Sequence, residues 1–95
     1  MKKITTESII LDAARNWLRL KGWYVIRIQQ GMGCHPGVSD LIAIKGGITV
    51  YIETKSPKWK GKLSRDQEKF RIEIEDHGGT FMVVDSIDKL MEVIK

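Results

Sequence analysis

The most constraining feature of this chain is a glycine pair set between two apolar, β-branched runs. Gly46 and Gly47 in this setting predict a tight β-hairpin. With the two glycines as its loop, residues whose numbers add up to 93 face each other, which places Asp40 opposite Glu53. Such residues have Cβ atoms about 4.5–5.5 Å apart, where two like charges repel unless a cation lies between them.

A lysine completes this arrangement. Lys55 lies two residues beyond Glu53, so both side chains project from the same face of the strand. Carboxylates are typical ligands of Mg²⁺, and a bound ion can both activate water and neutralise charge on a phosphate. The alternative is a half-exposed hairpin with charges at its solvated end, which leaves the opposed acids unexplained. The pattern therefore favours a metal-dependent nuclease.

Composition limits the class of protein. Ninety-five residues are enough for a single domain, here predicted to span 1–95, and the net charge of +4 favours polyanionic partners. The single cysteine, Cys34, excludes an intrachain disulfide and fits a reducing compartment. Neither a signal peptide nor an apolar run of about 18 residues is recognisable. We therefore expect a cytoplasmic protein with no membrane span.

Helical and strand patterns alternate in the order α-β-β-β-α-β-α. The first helix begins after Thr5 or Thr6 and ends at Gly22, and a strand follows over residues 23–28. Beyond the hairpin come a helix, a strand over residues 80–84 and a last helix. This order predicts an α/β domain with a mixed sheet of about four strands and helices on both faces. The residues predicted to face inward are Ile10, Leu11, Ala14, Trp17 and Leu18 in the first helix, Phe70 and Ile74 in the second, and Ile87, Leu90, Met91 and Ile94 in the last.

A basic loop follows the hairpin. Between Lys55 and Arg65 the chain carries five basic residues and one tryptophan. Lysine and arginine bind phosphates, and a tryptophan can stack on an unpaired base. The alternative is a solvated loop whose tryptophan packs on the edge of the domain. We favour nucleic-acid binding by Lys58, Trp59, Lys60, Lys62 and Arg65.

These motifs together resemble a known family. Asp40, twelve intervening residues and then Glu53-Thr54-Lys55 resemble the signature of the PD-(D/E)xK nuclease superfamily. The run from Gly37 to Ile42, with a later Leu-Ser-x-x-Gln over residues 63–67, resembles one branch of it, the virus-type replication-repair nuclease (VRR-NUC) domain. The resemblance covers nearly the whole chain, and we expect a minimal, standalone copy. One departure is Ser39, where the superfamily usually has proline.

The resemblance implies a restriction-endonuclease-like fold and a role for each matching residue. Asp40 and Glu53 would bind the metal ion, with the main-chain carbonyl of Thr54 as a third ligand. Lys55 would be the catalytic lysine. The remaining matches are Gln67 on the helix after the hairpin and Glu7 on the first helix.

Glu7 and Gln67 each have a simpler explanation. The spacing of Glu7 from Ile10 places it on the inward stripe of the first helix, yet a first-turn acid is also favoured by the helix dipole. Gln67 stands where a capping box with Ser64 requires a glutamine. Both explanations stay open on the sequence alone.

The expected function is that of an Mg²⁺-dependent (or Mn²⁺-dependent) DNA endonuclease. The resemblance implies branched DNA, with a four-way junction most plausible, and two matched cuts favour a homodimer. The first helix is one guess for the dimer interface. The alternatives are a monomeric nuclease for flaps or nicks, a non-catalytic DNA-binding module, and an RNA-directed nuclease.

Overall fold

The computed structural model describes residues 5–29 and 31–95, so that the first four residues, considered above for a signal peptide, lie outside it. The predicted order of elements is confirmed, with the first strand one residue shorter at each end. Within these two ranges no helix is long and apolar enough to cross a membrane. The elements are α1 (Thr6–Leu20), β1 (Tyr24–Arg27), β2 (Leu41–Lys45), β3 (Ile48–Thr54), α2 (Arg65–Asp76), β4 (Thr80–Val84) and α3 (Ile87–Val93).

The four strands form one mixed sheet in the order β1-β2-β3-β4, in which only the β3–β4 pair is parallel. The loop between β2 and β3 consists of Gly46 and Gly47, with φ angles of 57° and 81°. Two consecutive positive φ angles are typical of the hairpin turn whose twist matches that of the strands. Lys45 pairs with Ile48 and Leu41 with Ile52, which confirms the predicted register.

Helices cover both faces of the sheet. On one face, α1 and α3 enclose the main apolar core, to which Val50 and Ile52 of β3 contribute. On the other face, the ring of Phe70 in α2 makes edge contacts with Tyr51 and Phe81, at centroid distances of 5.8 and 6.2 Å. Because side chains alternate along a strand, Glu53 lies on the same face as Tyr51, towards α2.

The helices pack largely as their apolar stripes predict. Leu18 of α1 is fully buried, and the indole N–H of Trp17 donates to the main-chain oxygen of Ile94, 2.8 Å away. The prediction was wrong for Met91, which is 40% exposed because it lies on the outer side of the short helix α3. The apolar stripe of α1 is buried in this core, whereas Ile9 and Leu20 of the same helix are exposed, and the guess that this helix forms a dimer interface stays a prediction.

A close contact joins the loop before β2 to α2. Gly37 has a φ of +71°, and a Cβ atom built on it would lie 2.1 Å from the main-chain oxygen of Asp66. Ser39 is fully buried, and its hydroxyl donates to the main-chain oxygen of Leu41. The serine that replaces the superfamily's proline is therefore held by a hydrogen bond of its own.

We expect Gly37→Ala to destabilise the protein far more than Gly33→Ala. Both glycines have a positive φ, but Gly33 has open space around it, so its substitution adds only backbone strain of about 1–2 kcal/mol. Gly37→Ala adds the clash with α2, for which a further loss of about 1–3 kcal/mol is expected. Urea denaturation of both variants measures the difference, and equal losses would contradict the close contact.

Candidate active site

Asp40 lies immediately before β2 and is fixed from two sides. Its main-chain oxygen accepts a hydrogen bond from the N–H of Ile28, at 2.9 Å. Its Oδ2 accepts from the N–H and the hydroxyl of Thr54, at 2.8 and 2.9 Å. The main chain of Asp40 is therefore held from the side of β1, and its carboxylate is held by β3.

Glu53 is a buried acid in an acidic cluster. Glu53 is only 2% exposed. Carboxylate oxygens of Glu7, Asp40 and Glu53 lie within 4.8 Å of one another. The Oε1 atom of Glu53 is buried and accepts no hydrogen bond from any residue that the structure describes. Three converging carboxylates, one of them with an unsatisfied buried oxygen, are a donor set that suits a hard divalent cation.

The electrostatics of Glu53 point to the same conclusion. Burial, followed by the hydrogen bond and negative charge of Asp40, raises the pKa of Glu53 from 4.5 to about 9, while the charge of Lys55 acts in the opposite direction. Without a cation, Glu53 therefore holds a proton at neutral pH. A divalent ion would have to displace that proton, because only the carboxylate binds a metal ion well.

Lys55 is positioned by the first turn of α2. Its Nζ donates to Oε1 of Gln67 at 3.0 Å, and the same oxygen accepts from the N–H of Ser64, also at 3.0 Å. The N–H of Gln67 in turn donates to the hydroxyl of Ser64, which completes the predicted capping box. Gln67 thus both caps the helix and contacts the lysine, so the two explanations considered for it are compatible.

The structure places Glu7 beside the two other acids but does not bury it. The prediction that Glu7 lies on the inward stripe rather than on the solvated face was wrong, because the residue is exposed in the first turn of α1. That turn nevertheless stands at the end of the sheet where Asp40 and Glu53 meet. The capping box of α1 is made by Thr5 and Ser8, so Glu7 is not needed for capping.

The basic loop runs from the end of β3 to α2 and is largely solvated. Its tryptophan is half-buried, and the indole N–H of Trp59 donates to Oδ2 of Asp85 at 2.8 Å. Trp59 therefore packs on the edge of the domain, as the alternative interpretation of the loop predicted. The exposed basic residues of the loop are Lys58, Lys60, Lys62 and Arg65.

Comparisons with known proteins agree with this geometry. The family model of the VRR-NUC domain matches residues 6–88, which is most of the chain. The chain belongs to the VRR-NUC family. A solved structure described as a VRR_NUC domain has the same fold, with a TM-score of 0.78 and 22% sequence identity over 94% of this chain and 97% of that chain. Among curated proteins, no sequence matches.

Membership of the VRR-NUC family makes this protein a nuclease of the PD-(D/E)xK type with DNA as its substrate. Such domains are normally metal-dependent, and the cluster of Glu7, Asp40 and Glu53 could hold the ion. The structure brings these three acids, Lys55 and Gln67 together at one end of the sheet. The main-chain carbonyl of Thr54 as a ligand stays a prediction.

Sequence reasoning missed three contacts around the VRR-NUC site. The hydroxyl of Thr54 donates to the carboxylate of Asp40. Strand alternation places the side chain of Thr54 on the opposite face of β3 from that of Glu53, so the sequence pattern did not predict this contact. Asp85 fixes Trp59 from 26 residues away, which no local pattern indicates. Gly37 belongs to the motif that carried the resemblance, and a glycine three residues before the candidate metal ligand Asp40 was a usable signal for close backbone approach.

The buried Glu53 predicts that the metal-free VRR-NUC domain loses stability as pH rises. Between about 4.5, its pKa when unfolded, and about 9, its pKa when folded, the folded state holds one more proton than the unfolded state. The free energy of unfolding then falls by up to about 1.4 kcal/mol per pH unit. Glu53→Gln removes this dependence, since its neutral amide can donate to Asp40 at any pH. Urea denaturation in chelator from pH 5 to pH 9 measures both slopes.

Glu92→Gln serves as the matched control, because Glu92 is exposed on α3 and should keep the wild-type slope. Adding Mn²⁺ should stabilise the wild type more at pH 8 than at pH 6, since the ion competes with the proton on Glu53. Parallel pH profiles for the wild type and Glu53→Gln would contradict the assignment of a buried, protonated acid.

Proposed function

We propose that this VRR-NUC domain is a structure-specific DNA endonuclease that hydrolyses phosphodiester bonds with Mg²⁺ or Mn²⁺. The observation that carries the proposal is the buried Glu53, whose Oε1 has no hydrogen-bond partner among the described residues and which has a carboxylate oxygen within 4.8 Å of those of Glu7 and Asp40. A non-catalytic DNA-binding module has no use for such a cluster, because buried acids repel both each other and the phosphates of DNA.

Asp40 and Glu53 would hold the ion. When bound, it supplies positive charge for the phosphate oxygens and lowers the pKa of a water molecule. The two hydrogen bonds from Thr54 keep Asp40 in one orientation, so no rearrangement is needed to bind a cation. The exposed Glu7 would border the site and add negative charge beside the ion, since its carboxylate lies within 4.8 Å of those of Asp40 and Glu53.

Lys55 would position the attacking water and stabilise the charge that develops on the phosphate. Its ammonium group is directed by Oε1 of Gln67, which is itself fixed by the main chain of Ser64. A positive charge held in a fixed orientation stabilises a transition state better than a mobile one, since no reorganisation is needed during the reaction. Gln67 is thus proposed to act on catalysis through Lys55.

The basic loop would bind the DNA backbone. Lys58, Lys60, Lys62 and Arg65 are exposed, as long-range attraction to phosphates requires. For the substrate we propose branched DNA, in particular a four-way junction. Two matched cuts in such a junction need two copies of the site, and a twofold homodimer provides them.

Cleavage by this domain should require the ion, Asp40 and Lys55. With labelled duplex, flap and four-way junction DNA, we expect cleavage in Mg²⁺ or Mn²⁺ and none in chelator. Asp40→Asn removes a ligand charge and Lys55→Met removes the positive charge, and each should lower the cleavage rate at least about 100-fold. Gel electrophoresis of the labelled strands measures the rates.

Asp88→Asn is the control, since it removes an exposed acid of α3 that is not part of the site. It should cleave at the wild-type rate. Cleavage that persists in chelator or in Asp40→Asn would refute the metal mechanism. A wild type that binds these DNAs equally well with and without the ion, and cleaves none of them, would instead favour the non-catalytic binding module.

The dimer and the junction are tested together. A dimer should show twice the 10.9 kDa mass of one chain in light scattering. It should also make paired, symmetric nicks close to the centre of a four-way junction. A monomer that makes single nicks in flap DNA and leaves junctions intact would support the flap-directed alternative.

A further inference from the structure

An open pocket lies between the basic loop and the first turns of α2. Its volume is about 590 Å³. Part of its wall is apolar and part is cationic, a combination that does not suit a metal ion. The apolar side chains are Trp59, Leu63 and Val83, and the cationic ones include Lys62, Arg65 and Lys69.

The pocket is connected to the acidic cluster through the sheet, although none of its lining residues belongs to that cluster. Val83, which lines it, is the partner of Glu53 in the β3–β4 pairing, and adjacent strands lie about 4.7–4.9 Å apart. Ser64 also lines the pocket, and it is the residue that anchors Gln67. The strand that lines the pocket is therefore the direct neighbour of the strand that carries Glu53, the acid that we assign to the metal ion.

The aromatic wall of the pocket is fixed in place. The indole N–H of Trp59 donates to Asp85, and Lys89 forms an ion pair with the other carboxylate oxygen of Asp85 at 3.0 Å. Because the polar edge of the indole is already bonded, the ring offers a ligand its apolar and π surface. A preorganised aromatic wall binds a flat ring without paying the entropy of ordering the side chain.

The charge of the pocket is positive. Glu68 also lines it, but Arg71 binds that carboxylate in a salt bridge and lowers its pKa. The cations Lys62, Arg65 and Lys69 are exposed and are left to attract an anion. The ligand that fits is therefore flat and aromatic and carries negative charge at its edge, which is the chemistry of a nucleotide.

We propose that this pocket binds an unpaired nucleobase of the DNA strand being cut, stacked on Trp59 and next to the scissile phosphate. Lys62, Arg65 and Lys69 bind the phosphates that flank this base. The proposal rests on the nuclease function above and adds that one nucleotide beside the cut is unpaired in the bound DNA, as in a flap or at the opened centre of a four-way junction. Stacking on an aromatic side chain is tolerant of sequence, because every base has a π face.

The test measures binding, not cleavage. Branched DNA carrying one unpaired nucleotide near the branch is compared with the same DNA that lacks the base of that nucleotide. The unpaired nucleotide is placed in turn at each of the three positions on either side of the cut, and the comparison is repeated for each position. Dissociation constants come from fluorescence anisotropy, with Ca²⁺ in place of Mg²⁺. At one position, the wild type should bind the intact DNA about tenfold more tightly than the abasic DNA, as expected for one base–aromatic stack.

Two variants locate the base in the pocket. Trp59→Leu should bind both DNAs equally, with the affinity that the wild type has for the abasic form. Leu63→Glu should also lose the preference, and it leaves Trp59 intact in case the first variant does not fold. Arg19→Ala removes one exposed cation of α1, far along the chain from the pocket, and should keep the tenfold preference.

The outcomes separate this proposal from the nuclease function. A wild type that cleaves DNA but binds intact and abasic forms equally at every position overturns the pocket alone. A preference that survives in both Trp59→Leu and Leu63→Glu also overturns it. A wild type that neither binds nor cleaves any of the DNAs overturns the proposed function itself.

Discussion

The burial of Glu53 beside Asp40 is the constraint on which the rest of this structure depends. Two acids whose oxygens lie within 4.8 Å cannot both be ionised in a buried site without a cation. The hairpin gives no relief, because a shift by one residue would turn the apolar side chains of both strands to the wrong face. The fold therefore has two ways to accept the pair: a proton on Glu53, which its pKa of about 9 provides, or a metal ion.

The same constraint explains why so much of the surrounding structure fixes orientation. Asp40 is held by Thr54, and Lys55 is held by Gln67, so neither charge is free to move away from Glu53. Gln67 depends on the start of α2, and α2 is located by the ring contacts of Phe70 and by the close approach of Gly37. An apolar contact and a glycine, neither of which takes part in chemistry, thus determine where the lysine points.

The sequence predicted those parts of the site that local rules encode. A two-glycine loop has few geometries, so the register of Asp40 against Glu53 followed from it. A capping box is equally local, and Gln67 fulfilled it. The exposure of Glu7 and the bond from Trp59 to Asp85 depend on how distant elements pack, and periodicity along one helix or loop carries no information about that. The pocket beside Trp59 escaped prediction for the same reason.

The site and the basic loop differ in how firmly their cations are held, and physics explains the difference. The role proposed for Lys55 is at a single phosphate, where an error of an ångström in its position would be costly, and the side chain is half-buried and hydrogen-bonded. Attraction to a DNA backbone is long-ranged and does not require a fixed side chain, which suits the exposed Lys58 and Lys60. Substitutions of Lys58 or Lys60 do not remove any of the hydrogen bonds that hold Asp40 and Lys55. Under the proposed function, the choice of DNA and the chemistry of cleavage would therefore change independently, because the first rests on exposed lysines of the loop and the second on Asp40, Glu53 and Lys55.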